Sequence, residues 1–508
     1  MGNIIFTARK ILDNSADATW VADGGDLVLK AMGVVSQKGD SGVELLIGDV
    51  PDKPVEETKS RCIVQVRPKS GWRGEFGFDW YRVGDTKMAG DLPYADIIGR
   101  YYTKDPEAAD AKKNTDGNSW TAFFRKDPQP PKFTSENRLT RLQALYGSFN
   151  YTMGKEKDGK PAIKPYYFPR LALFARSIDP KTKQVTEEGS ADLELHIAID
   201  EIDGKKEKLI RLDFEIDDKI ADEKHPLVTV TPATLPGSKL GNKESIKITC
   251  NSEFDTDKDL KIWAVVKDKD GKEEHLLAGL LKIIAPSKKR ILDVVVVKVK
   301  TDSGSGSRKS LDQFNRNLRQ ALIFPQITEF DSTKNDIKIN ISDPAKNVDL
   351  LDWKKCYDVV KKNINKPEGN GTDLIDFLDK QLELTFPGKY TDHFKLYFFY
   401  ESCEMVDIKD SSGTVVGNTS TAGYSFINSS HGIMFKDHTP NTIGHECMHG
   451  LGLQHTFFES EFSFKAMETD NIMDYSHLSL DKVTNAARTP KNRISSNYWQ
   501  WKLMNSNI

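Results

Sequence analysis

Hydrophobic and polar positions follow three successive patterns along the chain. Up to about residue 170, apolar residues come in short runs broken by Gly, Asp and other turn formers. The densest stretch, Gly71-Trp72-Arg73-Gly74-Glu75-Phe76-Gly77-Phe78-Asp79-Trp80-Tyr81, sets five aromatic residues among three glycines. That mix predicts short strands and tight turns. Aromatics of this size commonly fill a core; a docking surface is the alternative. The polar stretch 105–118 reads as a loop. From about 171 to 288 the period is two: Leu193, Leu195, Ile197 and Ile199 alternate with other residues, as on half-buried strands. Asp203-Gly204 and Asp270-Gly271 separate further apolar runs and signal hairpins. Several short strands with regular turns predict an immunoglobulin-like β-sandwich.

The third pattern begins after Ala285-Pro286-Ser287-Lys288-Lys289-Arg290. Ile291–Val299 is β-branched and nearly continuous, like a strand buried on both faces. A Gly/Ser loop over 303–307 leads to Leu311, Phe314, Leu318 and Leu322 at helical spacing, behind a capping box of Ser310 and Gln313. Ile337, Ile339 and Ile341 predict a strand, 348–360 and 374–384 helices, and 394–400 another strand. Strands alternating with helices predict an α/β layer. The expected chain is multidomain: a β-rich N-terminal domain over 1–170, the sandwich over 171–288, and an α/β domain over 291–508.

Composition narrows the function. At 508 residues, about 100–200 residues per domain agrees with three domains. Lys+Arg is 72 and Asp+Glu 75, a formal net charge of −3, which gives no support to a nucleic-acid partner. No apolar run approaches the roughly 20 residues of a membrane helix, so no membrane span is expected. The N-terminus lacks a basic segment followed by a long apolar one, so no cleaved signal peptide is expected. Cys62, Cys250, Cys356, Cys403 and Cys447 are widely spaced without a CxxC pair, which argues against a disulfide framework.

The chemistry lies in Gly444-His445-Glu446-Cys447-Met448-His449-Gly450-Leu451-Gly452-Leu453-Gln454-His455, which reads HExxHxxGxxH. The five fixed residues would arise by chance roughly once in 50,000 chains of this length. Four residues along a helix rotate about 400°, so His445 and His449 share a face. Glu446 is offset and can reach a water instead of the metal. His455 would point away unless the helix stops, and Gly450 and Gly452 permit the left-handed turn that brings it back. Three imidazoles then hold a Zn²⁺ and leave its fourth position open, as in catalytic sites. Thr439 as N-cap and Pro440 at the first position start the helix. Cys447 is expected to pack, His431, His438 and His477 to lie at the surface, and Glu468 is a weaker third ligand than His455.

This segment resembles the zinc signature of the metzincin clan of metallopeptidases. The resemblance covers about 291–508 and implies a mixed-sheet catalytic domain. It also implies a turn methionine, matched by Met473 in Asn471-Ile472-Met473-Asp474-Tyr475, and a zinc-site tyrosine, matched by Tyr475. Gly423-Tyr424-Ser425-Phe426 resembles the clan's antiparallel edge strand. The implied activity is endopeptidase action on a protein or peptide, with Glu446 as general base. Separately, Phe76–Asp85 resembles leader regions of bacterial effectors delivered by type VI secretion. That implies a toxin exported without a cleaved signal, meeting a secretion-apparatus component or an immunity protein; a cytoplasmic protease is the alternative. The competing class is a non-enzymatic carrier or interaction protein with an idle zinc site.

Overall fold

The computed structural model describes residues 55–58, 60–102, 132–135, 138–155, 160–182, 184–202, 205–206, 208–268, 270–328, 338–340, 356–358, 363–364, 372–404, 406–409, 415–419, 421–458, 462–479 and 487–508. They form a β-rich structure with mixed sheets and few helices. The expected loop at 105–118 and the turn at Asp203-Gly204 lie outside them.

Alternation of apolar and polar residues produces two facing sheets from β1 (Cys62–Pro68), β2 (Gly77–Asp79), β3 (Arg170–Ala172), β4 (Ser190–Ile199), β5 (Leu209–Ile216), β6 (Val228–Thr231), β7 (Lys243–Cys250), β8 (Lys258–Lys267) and β9 (Glu273–Ile284). One sheet has the order β6-β7-β4-β1; the other contains β5-β8-β9-β3-β2. Pairing is antiparallel except between β9 and β3. Leu193, Leu195, Val64 and Val66 of the first sheet share a core with Leu212, Phe214, Leu260 and Ile262 of the second. The β8–β9 hairpin turns at Asp270-Gly271, where Gly271 takes φ +80°. Trp72, Phe76, Phe78 and Trp80 are buried in this same core, so the aromatic stretch is packing, not an exposed docking surface. His196 and His225 are likewise structural: one pairs with Glu194, and the other accepts backbone N–H bonds from Leu227 and Val228.

Downstream, β10 (Arg290–Lys300), α1 (Asp312–Arg319), β11 (Ile323–Thr328), β12 (Lys338–Asn340), α2 (Thr372–Thr385), β13 (Phe394–Phe398), β14 (Gly423–Tyr424), β15 (His431–Met434), α3 (Pro440–Gly450) and α4 (Tyr498–Ser506) surround a second sheet system. Its order is β11-β10-β13-β15-β14, with β12 also on β10. All neighbours are parallel except β14, which ends the sheet antiparallel to β15. The β10 valines alternate between two cores. Val294 and Val296 join Phe314, Ile443, Met448 and Trp501 on one face. Val295, Val297 and Val299 join Leu374, Phe377 and Leu378 of α2 on the other.

Two local expectations change. The Ser310/Gln313 capping box does not form: Leu311 is drawn into the core and occupies the N-cap, and the Ser310 hydroxyl accepts from the Asp312 N–H instead. Within the expected helix at 348–360, Tyr357–Asp358 instead pairs antiparallel with Asn363–Ile364; the Tyr357 and Ile364 side chains are buried in the α2-side core.

Residues from the first hundred are built into the end of the chain. Arg82 and Asp470, both almost inaccessible, form an ion pair at 3.2 Å. Asn497 donates to the Tyr94 hydroxyl at 2.9 Å. Asp79 accepts from the Tyr146 hydroxyl at 2.9 Å and the Tyr498 N–H at 2.8 Å. Burial pushes the Asp79 carboxyl up to about 6, against the Tyr498 N–H and the Arg82 charge. A folded-state value above the unfolded one adds stability at low pH that is lost as pH rises through about 6. Asp79→Asn removes that loss. It should gain about 2 kcal/mol relative to wild type between pH 4 and 7, read as diverging melting temperatures. Parallel pH trends would contradict this.

Candidate metal centre

The site is assembled on α3, and the residues that start and stop this helix determine it. The Thr439 side chain accepts from the Thr442 N–H, Thr442 returns the bond to the N-cap backbone, and Pro440 fills the first turn. At the other end Leu453 N–H donates to Met448 O and Gly452 N–H to His449 O, the paired bonds of a Schellman stop. Gly452 takes φ +97°, and a Cβ there would lie 2.3 Å from Asn507 Nδ2. Gly450 has a different task. It lies within α3, where a Cβ would meet Ser429 O at 2.4 Å and the Phe394 ring at 2.6 Å, so it lets the helix sit close on β13. Gly444 does the same against Asn317 of α1. Gly452→Ala combines left-handed strain of about 1–2 kcal/mol with a backbone shift just before His455. It should weaken metal retention more than it lowers the melting temperature; unchanged retention in equilibrium dialysis would contradict this.

The reversal brings three rings together. His445 Nε2 lies 3.2 Å from His455 Nε2, and His449 Nε2 lies 3.3 Å from the same atom. Nitrogens bound tetrahedrally at 2.0–2.1 Å from one ion would be about 3.3 Å apart; these two separations match, and all three ligand atoms lie within 4.8 Å of one another, so the set could hold a metal ion. The other ring nitrogens confirm the tautomer. His445 Nδ1–H donates to Ile472 O at 3.0 Å and His449 Nδ1–H to Leu453 O at 2.7 Å, leaving Nε2 lone pairs to converge. Burial holds the His449 imidazole down to about 4, against the pull of Leu453 O. Burial and the neighbouring rings hold His445 well below its usual range, and burial and His449 do so for His455. All three rings are therefore neutral at neutral pH, as metal ligands need to be. Among the described residues, this is the cluster of His, Cys, Asp or Glu that could hold a metal ion.

Glu446 is buried beside the triad. Burial pushes its carboxyl up to about 8, opposed by the Arg493 charge and the Ser425 backbone. Nearby β14 packs closely: a Cβ on Gly423 would come 3.1 Å from Glu446 Cγ. Tyr475 lies over His455, ring centroids 4.8 Å apart, and 6.3 Å from His445. Burial, and then the Glu446 charge, keep its phenol protonated. Met473 is fully buried with Cys447, Met448 and Leu453, so Cys447 packs as expected.

The remaining candidates lie in other roles. His431 binds Asp379 at 2.7 Å. His438 is buried rather than superficial, with Nδ1 on Phe435 O and Nε2 accepting from Lys309 N–H. Glu468 pairs with Lys491 at 2.8 Å. The His477 ring is 6.2 Å from that of Tyr475. Sequence spacing missed Arg493, which lies outside any motif but donates to Ile472 O and Asp474 O beneath the triad. No protein-family model, curated protein or solved structure matches the chain.

Proposed function

We propose that this chain is a zinc-dependent endopeptidase with a metzincin-like catalytic domain over 291–508 and an immunoglobulin-like sandwich that is not confined to 171–288, because Cys62–Pro68 and Gly77–Asp79 supply strands to its two sheets. The observation that carries this reading is the convergence of His445, His449 and His455 Nε2 beside the buried carboxyl of Glu446. A catalytic zinc ion supplies Lewis acidity, polarising a peptide carbonyl and making water available as a nucleophile near neutral pH. The chain's own groups do the rest. The edge strand β14 offers backbone groups to an extended peptide, positioning the scissile bond over Glu446. Glu446 takes the water's proton during attack and passes it to the leaving amine as the C–N bond breaks. The protonated Tyr475 hydroxyl donates to the oxygen that gains charge, a contribution of about 3–4 kcal/mol at such sites. An open-ended edge binds substrate through its middle, which favours internal cleavage.

Metal analysis of the purified chain, with a product map from a peptide library, tests the reading. About one zinc per chain and internal cuts that stop on chelation are expected. Zinc without cleavage would instead indicate a carrier with an idle site, and no bound metal would end the proposal. Export as an effector rests on the resemblance of Phe76–Asp85. Co-purification with a secretion-apparatus component or an immunity protein tests it.

A further inference from the structure

We infer that Arg493 is a positioning residue for the metal centre, setting the geometry of His445 and His455 through the backbone of the Ile472–Asp474 turn. This rests on the metal-binding reading above, and not on peptidase activity. Three consecutive carbonyls of that turn are engaged. Ile472 O accepts from the His445 ring at 3.0 Å. Met473 O accepts from the backbone N–H of Thr456, the residue after His455, at 3.2 Å. Asp474 O accepts from Arg493 Nη1 at 3.3 Å, and the same Nη1 also reaches Ile472 O at 3.3 Å. One guanidinium nitrogen thus spans the carbonyls on either side of Met473, and through them it touches the supports of two of the three ligands.

The placement of Arg493 is itself fixed. Its neighbour Ile494 donates N–H to Asp470 O at 2.7 Å, and Ile472 N–H donates to Ser495 O at 2.8 Å. The 493–495 segment therefore lies alongside the turn. Arg493 is about nine-tenths buried, and its Nε is buried with no hydrogen-bond partner among the described residues. A buried guanidinium with an unused donor is costly as a mere filler. Nη1 carries two N–H groups, enough to donate to both carbonyls at once, which an apolar chain cannot do. Outer groups that orient ligands typically govern affinity by 10–100-fold.

The test is cobalt(II) and zinc(II) binding by the full chain, comparing wild type with Arg493→Met and Arg493→Gln. Both variants should bind zinc roughly 10–100-fold more weakly and shift the visible d–d bands of the cobalt form, because the His445 and His455 rings relax. A variant that folds with wild-type affinity and an unchanged cobalt spectrum overturns the inference. If Arg493→Met does not fold, Arg493→Gln decides by the same readings; failure of both to fold also overturns it, assigning Arg493 to global stability. Absence of cobalt binding by the wild type is a different failure, and it removes the metal reading itself.

Discussion

Glu446→Ala should keep its metal and lower kcat/KM by roughly a thousandfold or more. Glu446 is one position from His445 but offset by about 100° on α3, so its loss removes none of the three converging nitrogens. What goes is the buried carboxyl next to His445 on α3, the group proposed to take a proton and return it. Burial outweighs the Arg493 charge and the Ser425 backbone and pushes that carboxyl up to about 8, and a dication nearby would pull it back towards ionisation, which would suit the proposed general base. Glu446→Gln keeps the shape without the base and should be as inactive. Metal content and peptide hydrolysis, measured on the same preparation, separate the two consequences. Undiminished cleavage by either variant would remove Glu446 from the mechanism. Loss of the metal along with activity would mean the carboxyl helps hold the site.

Asp470→Ala should destabilise the fold by about 3–5 kcal/mol, although it lies outside the site. Its carboxylate accepts from Arg82 Nη2 at 3.2 Å and from the Ser495 hydroxyl at 2.8 Å, and both members of the ion pair are almost inaccessible. Without Asp470, the Arg82 charge stays buried over the Trp80 ring, 3.2 Å from its centroid, with its principal counter-charge gone. Asp470 also precedes Asn471, whose side chain donates to Asn497 and Gln500 and accepts from Met473 N–H. The candidate metal centre should therefore loosen along with the fold, visible as faster exchange of an added metal ion. The double variant Arg82→Met/Asp470→Leu removes both charges and should recover most of the loss. A melting temperature for Asp470→Ala within a degree of wild type would show the pair to be dispensable.

The sequence exposed those parts of the molecule whose physics is local. The period-two runs became paired strands, the valine run became a strand with a core on each face, and α3 begins and ends where Thr439, Pro440 and Gly452 place it, because caps and left-handed turns are decided within a few residues. The triad was legible for the same reason: helix pitch fixes His445 and His449, and a glycine stop returns His455. Long-range contacts were not legible. No spacing rule links Asp79 to Tyr498 or Arg82 to Asp470, and Arg493 acts through carbonyls that carry no side-chain signal. The Gly450 role also escaped, since its reason is the approach of Phe394 and Ser429 across the sheet. Ser310 looked like a cap in isolation, but burial of Leu311 overrode it.

The bond between Asp79 and Tyr498 joins residues 419 positions apart. At about 5–20 residues per second, a ribosome takes roughly 20–80 s to cover that interval. For most of it, Asp79 waits for Tyr498 and Arg82 for Asp470, and the turn beneath the three histidines has not yet been made. The two facing sheets can gather earlier from sequence-neighbouring hairpins. The turn that supports His445, by contrast, is tied to the rest of the fold by contacts of very long loop length, whose closure entropy delays them. The support beneath the three histidines is therefore completed only once Asp470 and Tyr498 have been made and have met the segment around Asp79 and Arg82.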